Sequence, residues 1–235
     1  MKPLAWSRTA SSLAERVFGG TCYLCRGESS GVLCTHCNSD LPFLDRPRCP
    51  QCALPSNEGK VCGRCLSENP AYDATVAALV YAFPADVLVQ GLKFRGELAL
   101  APLLAGVLAQ EIGAELRPPD LILPVPLHDL RLRERGYNQS MEIARSVASF
   151  YRVPLAADAC MRVRNTAAQL GLSLSERRQN MRGAFSCRQP FDGKSVAVID
   201  DVMTTGATLD EVAATLKRFG ASRVVNWVVA RTPAE

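Results

Sequence analysis

Apolar positions along the 235 residues fall into blocks whose period separates strand from helix. Residues 196–199 (Val-Ala-Val-Ile) form an unbroken β-rich run, the pattern of a strand buried on both faces of a sheet. Beyond them Leu209, Val212, Ala213, Leu216 and Phe219 recur at three-four spacing, which is one face of a helix. Residues 120–126 and 223–230 predict two more core strands, and residues 74–83 a fourth. Pro84 opens a helix to about Leu92, and residues 97–112 form a helix apolar nearly all round, which predicts burial. Asn138, just after Gly136, is placed to cap another helix. Strands alternating with helices predict an α/β fold with a parallel sheet. Residues 162–182 interrupt this order with a polar stretch that suggests a mobile lid, and residues 183–185 re-enter the sheet.

Chemistry is concentrated where strands end. Asp200 and Asp201 follow the 196–199 run directly, and Met203, Thr204, Thr205, Gly206, Ala207 and Thr208 lead into the next helix. Hydroxyls and backbone N–H groups at a helix start form an anion site, and glycine lets the backbone approach a phosphate closely. Carboxylates one step earlier suit neutral hydroxyls or a metal ion. Strand, paired acids and phosphate cradle together predict a ribose 5-phosphate site at the carboxyl end of a parallel strand. After residues 120–126, Arg131, Arg133 and Arg135 alternate along a segment leaving the sheet. In a parallel sheet they share the acids' edge and suit a pyrophosphate, a solvated charged loop being the plainer alternative. His128 has no visible partner for a catalytic role. Lys93-Phe94-Arg95-Gly96 makes a further basic patch.

Four Cys-x-x-Cys knuckles occupy the first third of the chain: Cys22/Cys25, Cys34/Cys37, Cys49/Cys52 and Cys62/Cys65. Two knuckles complete a tetrahedral four-sulfur site, for which zinc is the usual ion, so two structural zinc ions are expected. Sequential pairing (Cys22, Cys25, Cys34, Cys37 and Cys49, Cys52, Cys62, Cys65) is the simpler arrangement, and cross-bracing is also compatible with the spacing. His36 lies inside a knuckle, but eight cysteines satisfy both ions without it. Cys160 and Cys187 are expected as small core residues. The organisation predicted is an N-terminal segment, 1–20, with a short helix; a double zinc ribbon, 21–68; and an α/β domain, 72–235.

Composition adds limits. Hydrophobic residues make up 48% of the chain and mean hydropathy is +0.03, which excludes a disordered chain. A net charge of +4 does not by itself point to nucleic acid. Arg8, Ser11, Ser12, Glu15 and Arg16 interrupt any apolar leader, so no secretory signal is expected and disulfides are disfavoured. The most apolar stretch, 98–109, is too short to span a bilayer and contains Pro102. No membrane span and a cytoplasmic location are expected.

Residues 196–208 resemble the phosphoribosyl-pyrophosphate (PRPP) motif of type I phosphoribosyltransferases at all thirteen positions. Further runs extend the likeness: Pro-Val-Pro-Leu ending at His128, Arg-Glu-Arg-Gly-Tyr-Asn ending at Gln139, and Arg-x-Arg-Asn ending at Thr166, followed by Gln169. Glu176-Arg177 with Asn180 and Gly183-Ala184-Phe185 complete it. With the cysteine knuckles, the chain from Cys22 to Arg231 resembles the ComF/ComFC family of bacterial competence proteins, which handle internalised single-stranded DNA in natural transformation.

That resemblance implies a type I phosphoribosyltransferase-like parallel sheet with helices on both faces, preceded by a small four-cysteine zinc-ribbon domain. It implies Zn2+ in the ribbons and Mg2+ with PRPP. Asp200 and Asp201 would hold the ribose, Met203 to Thr208 the 5′-phosphate, and Arg131, Arg133 and Arg135 the pyrophosphate. Arg164 and Thr166 would sit on the lid, Arg164 joining the acids in catalysis. The implied partners are PRPP, single-stranded DNA, and a DNA-uptake helicase or other competence proteins. No residue marks a nucleobase pocket. A DNA-uptake factor with or without transferase activity, a metabolic phosphoribosyltransferase and a PRPP-sensing regulator therefore all fit the sequence. Arg131, Arg133, Arg135, Arg162, Arg164, Arg177, Arg178 and Arg182 lie in two segments expected at one sheet edge, a rim for a DNA backbone, with Tyr137 or Phe185 as a stacking face.

Overall fold

The computed structural model describes residues 20–113, 118–164 and 174–233, without the side chains of residues 174, 175, 177 and 178. Among these residues there are six strands: β1 (Ala74–Val80), β2 (Leu121–Pro124), β3 (Cys160–Arg162), β4 (Phe185–Cys187), β5 (Ser195–Met203) and β6 (Arg223–Arg231). Eight α-helices accompany them: α1 (Thr35–Ser39), α2 (Gly63–Glu68), α3 (Ala85–Phe94), α4 (Leu100–Ile112), α5 (Asp129–Arg135), α6 (Gln139–Tyr151), α7 (Leu174–Met181) and α8 (Ala207–Arg218). Strands β1, β6, β5 and β2, in that order, make one sheet with every pairing parallel. The expected N-terminal helix, Thr166 and Gln169 lie outside the described residues.

Alternation along β5 explains the layering. Ala197 and Ile199 pack with α3, α4 and α6 on one face, whereas Val196 and Val198 pack with α8 on the other. Trp227 and Val229 of β6 join the first layer, and Val224 and Val228 the second. Both faces are covered, which is why these strands read as continuous apolar runs. The open edge of β1 is closed by residues 42–44: Leu44 N–H donates to Ala78 O at 2.9 Å, and Val80 N–H donates to Pro42 O at 2.7 Å.

Two expectations change. Residues 183–185 do not rejoin the main sheet. Phe185 and Cys187 pair antiparallel with Arg162 and Cys160 in a separate hairpin sheet of β3 and β4. The alternating arginines after β2 lie on a helix. They form α5, capped by His128 Nδ1, which accepts from Leu130 N–H at 3.3 Å, and closed by Gly136 at φ +82°. A helix turns about 100° per residue, so alternate positions face different ways. Arg135 is half-buried, while Arg131 and Arg133 are exposed. Asn138 caps α6 as expected, its Oδ1 accepting from Ser140 N–H at 3.0 Å. Phe219 ends α8 rather than joining its buried face and is 37% exposed.

Candidate functional site

The site opens at the carboxyl end of β5, where β2 stops: Pro124 pairs with Ile199, leaving Asp200 without a β2 neighbour. Asp200 and Asp201 are 8% and 3% exposed. Ser140, in the first turn of α6, fills the gap and donates its hydroxyl to Asp200 Oδ1 at 2.9 Å, and Asp201 N–H donates to the same oxygen at 3.0 Å. Burial, with Asp201 beside it, pushes the Asp200 carboxyl up to about 7. Lys93, near the end of α3, places Nζ 3.5 Å from Asp201 Oδ2. The charge of Asp201 raises the Lys93 pKa against the effect of burial, so this ammonium stays charged. Asp201 Oδ2 is buried and, among the described residues, accepts no hydrogen bond. Two acids thus share one buried corner, and the oxygen of Asp201 that accepts no hydrogen bond faces, among the described residues, only the Lys93 ammonium, an arrangement that leaves it able to meet a ligand.

The loop leading into α8 follows. Thr204 is exposed, Thr205 half-buried, and Thr205 Oγ1 accepts from Ala207 N–H at 3.3 Å. Gly206 has φ +86°, and a Cβ there would stand 2.8 Å from Met203 Cε and 3.2 Å from Tyr72 Oη. Only glycine fits this conformation and this space. Helix α8 begins at Ala207, so its first N–H groups lie at the loop beside the acids. The sequence-predicted acids and loop therefore stand at one sheet edge.

The arginines divide. Arg135 donates to Gln139 Oε1 and lies 5.6 Å over the ring of Phe94. Arg131 and Arg133 are exposed on α5, with Arg131 3.5 Å from Glu134. Arg164 is exposed and donates to Arg182 O. Arg162, two residues earlier, is half-buried, stacks 5.8 Å over Phe185, and is within electrostatic reach of Asp200: burial lowers its pKa and the Asp200 charge opposes this. Neither expected stacking residue is open, since Phe185 is 4% exposed and the Tyr137 hydroxyl donates to Leu92 O. Phe94 is 70% exposed instead, with Lys93 5.8 Å from its ring. Sequence reasoning does not single out Lys93, Ser140, Arg162 and Phe94 for these places. Lys93 and Phe94 have a signal, the basic patch before Gly96; Ser140 has none.

The cysteines gather in sequential order. The sulfurs of Cys22, Cys25, Cys34 and Cys37 lie within 4.8 Å of one another, as do those of Cys49, Cys52, Cys62 and Cys65. Sulfur-to-sulfur distances of 3.7 Å (Cys25 to Cys34), 3.6 Å (Cys52 to Cys62) and 3.9 Å (Cys49 to Cys65) are measured. A tetrahedron with Zn–S of about 2.3 Å has edges of about 3.8 Å, so the donor set fits zinc. Although burial opposes it, N–H groups of Cys25, Cys34 and Leu24 hold the Cys22 thiol down at about 6. Those of Cys62, Cys52 and Gln51 similarly hold Cys49 at about 7, while burial and the neighbouring cysteines push Cys37 up to about 12 and Cys52 up to about 11, so one thiolate forms readily in each group and the others need the charge of a metal. Cys160 and Cys187 are buried opposite each other in the β3–β4 hairpin.

Comparison with known proteins agrees with these two halves. A double zinc ribbon domain model matches residues 13–66, and a phosphoribosyl transferase domain model matches residues 99–235. The DNA utilization protein YhgH of Escherichia coli K12 is 35% identical over 222 residues, covering 91% of this chain and 97% of the relative. Competence protein F of Haemophilus influenzae is 32% identical over 226 residues, covering 91% and 98%. The chain belongs to the ComF family. This ComF-family chain joins a double zinc ribbon with two four-cysteine groups to a phosphoribosyltransferase-like parallel sheet. Among solved structures, a Bacillus subtilis glutamine PRPP amidotransferase is 21% identical, covers 55% of this chain and 26% of its own, and has a TM-score of 0.38. No helix among the described residues is long and apolar enough to cross a membrane.

Proposed function

We propose that the protein binds PRPP and acts in the cytoplasm in DNA uptake, handling internalised single-stranded DNA, with phosphoribosyl transfer as the reaction its site can support. The observation that carries PRPP binding is the buried Asp200–Asp201 pair with Lys93, placed one turn before a glycine-dependent loop at the start of α8. Asp200 and Asp201 hold the ribose hydroxyls; Met203, Thr204, Thr205, Gly206, Ala207 and Thr208 hold the 5′-phosphate. Arg135 and Arg162 are the arginines best placed to face the pyrophosphate, with Arg131 and Arg133 further out on α5. Arg164 and Thr166 belong to the segment proposed to cover the site.

Asp201 Oδ2, buried without a hydrogen bond among the described residues, fits a divalent cation or its bound water. Mg2+ bound there supplies charge that offsets the pyrophosphate. Zinc is structural, because four thiolates leave no open position. In transfer, the C1–pyrophosphate bond breaks and an acceptor takes its place, the proton of the acceptor passing to a nearby base. Asp200, poised at about 7, is a group in this corner able to exchange a proton near neutrality.

The DNA part of the proposal is supported by the relatives' names, DNA utilization protein and competence protein F, and by the rim of Arg131, Arg133, Arg164 and Arg182. Phe94, exposed between Lys93 and Arg135, is the stacking face for a base. A helicase or another competence protein is the proposed protein partner, and residues 21–68 and 72–235 the proposed units. The deciding test is calorimetry with PRPP and Mg2+. Asp200→Asn with Asp201→Asn should abolish binding while the fold persists, the melting temperature falling modestly because Lys93 loses the charge of Asp201. Unchanged affinity in that double variant would overturn the PRPP site.

A further inference from the structure

The second four-cysteine group is tied to the phosphate loop by a continuous set of polar contacts that binding of a sugar-phosphate does not by itself require. Arg231, the last residue of β6, is 2% exposed and pairs in register with Met203. Its Nε donates to the backbone carbonyl of Cys52 at 3.0 Å. Its Nη1 donates to Met203 O at 2.9 Å, and also to Thr204 O. One buried guanidinium therefore bridges a cysteine knuckle and the loop backbone. Arg64, between Cys62 and Cys65, makes a second bridge: its Nη2 donates to Thr205 O at 2.8 Å while Nε holds Glu68 at 2.9 Å. A third runs through the chain after α2. Gln51, inside the first knuckle of this group, donates to Tyr72 O at 3.1 Å, and Tyr72 closes over Gly206.

We infer that this module is part of the sugar-phosphate site: with a metal on Cys49, Cys52, Cys62 and Cys65, Arg231 and Arg64 hold residues 203–205 in the phosphate-binding shape, and without it they do not. The inference rests on the proposed sugar-phosphate reading of the loop, and it concerns what positions that loop. The physical reason is the weakness of the module alone. Its buried apolar residues are Cys49, Cys52, Ala53, Leu54 and Cys65, too few to fix a fragment of this length without a metal. When the knuckles open, the Cys52 carbonyl leaves Arg231 and a buried donor loses its acceptor. Arg64 moves away with the α2 backbone, and the carbonyls of Thr204 and Thr205 lose the donors that orient them. Loop N–H groups then no longer converge on one anion. Arg231 and Arg64 are positioning residues, since their bonds here go to backbone carbonyls and not to the phosphate position itself.

Arg64 gives the cleaner variant, because it is half-exposed and Arg231 lies in the core. Arg64→Ala should weaken PRPP binding about fivefold to tenfold with little change in melting temperature, and Arg64→Lys should recover part of the loss. A second measurement needs no ligand: hydrogen exchange of the amides at residues 203–208 in full-length zinc-loaded protein, compared with Cys62→Ser. Exchange there should quicken at least tenfold in the variant while amides of β5 at residues 196–199 stay protected. Equal exchange at 203–208 in a variant that has lost one zinc would overturn the inference, as would unchanged PRPP affinity in Arg64→Ala. If the wild type binds no PRPP at all, the ligand reading fails and the exchange experiment still decides whether the metal shapes the loop. Should Cys62→Ser lose the β5 protection as well, the same exchange measurement on Arg64→Ala decides: quickened amides at 203–208 with β5 protected support the inference, and unchanged amides overturn it.

Discussion

The two four-cysteine groups look alike in sequence and sit on opposite faces of the sheet. Tyr23 and Leu41 of the first module pack into the layer of α3, α4 and α6, whereas Cys49, Cys52, Leu54 and Cys65 of the second pack into the layer of α8. In the first group Cys22 is buried and Cys25 exposed; in the second Cys49, Cys52 and Cys65 are all buried. The polar links differ as well. Besides the backbone bonds of residues 42–44 to β1, the first module reaches the fold through the Tyr23 hydroxyl, which donates to Glu97. The second makes several such links and ends on the phosphate loop. Repetition of a motif thus does not mean repetition of surroundings: one copy packs on a helix layer, and the other is bonded to the loop that leads into α8.

The largest effect expected from this difference is on stability. Elemental analysis should give close to two zinc equivalents for the wild type and one for each module variant. Cys49→Ser with Cys52→Ser should lower the unfolding free energy by several kcal/mol, on the order of half of what a structural zinc contributes. Cys25→Ser with Cys34→Ser should cost clearly less, because its ligands are more exposed. Equal losses in chemical denaturation would remove the asymmetry.

A second effect separates the ligands. Phe94 ends α3, on the first module's side of the sheet, with its exposed ring against Lys93 and Arg135. Stacking of one base is worth about 1–3 kcal/mol, so Phe94→Ala should weaken an oligonucleotide about tenfold or more. PRPP affinity should fall less, by about threefold or under, through the cation–π contacts that Lys93 and Arg135 lose. Fluorescence anisotropy at two salt concentrations checks both the loss and the steep salt dependence expected of backbone contacts. If Phe94→Ala binds the oligonucleotide like wild type, that ring is not the stacking face.

Much of this architecture is legible in the sequence, for physical reasons that can be named. Runs buried on both faces, such as 196–199, carry their own signal, and cysteine spacing encodes local knuckle geometry. The acids and the loop are legible because strand end, carboxylates and glycine turn are contiguous. What escapes depends on partners far along the chain. Arg231 meets Cys52, Ser140 meets Asp200 and Lys93 meets Asp201 across sequence separations that no local pattern records. The arginines after β2 carry no clear secondary-structure signal in their alternation, and His128 and Gly136 cap a helix there. Residues 183–185 read as part of the main sheet because their true partner, β3, is a short strand of mixed polarity.

Between the two modules lies Asp200, and pH should read its state. Its carboxyl is raised from an ordinary carboxylate value to about 7, so the folded protein holds this proton over a range where the unfolded chain has released it. The stability this contributes is present at low pH and is lost as pH rises from about 4 to about 7. Ligand binding runs the other way, because ribose hydroxyls and Mg2+ favour the carboxylate. PRPP affinity should rise roughly tenfold from pH 6 to pH 8, about 1.4 kcal/mol, and then level off. A flat profile in calorimetry across that range would show that Asp200 is not what the ligand meets.

The smallest effect tests whether the first module is only a cover. Tyr23 is buried, and its hydroxyl is held by Glu97, just past the end of the helix that carries Lys93. Burial and the neighbouring Glu97 carboxylate push that phenol up to about 12, so it remains a donor at every pH of interest. Tyr23→Phe removes the hydroxyl and keeps the ring in the α3–α4 layer, so the packing term survives and one hydrogen bond is lost. The expected cost is about 1 kcal/mol in denaturant unfolding. Leu88, Val89 and Leu92 of α3 are buried in the layer beneath, so the loss of one hydrogen bond leaves the helix in place. Lys93 therefore keeps its place beside Asp201, and PRPP affinity should stay within about twofold of wild type, less than about 0.5 kcal/mol. A tenfold loss would mean that the first module is also wired to the site, through α3, and that the two ribbons share one role.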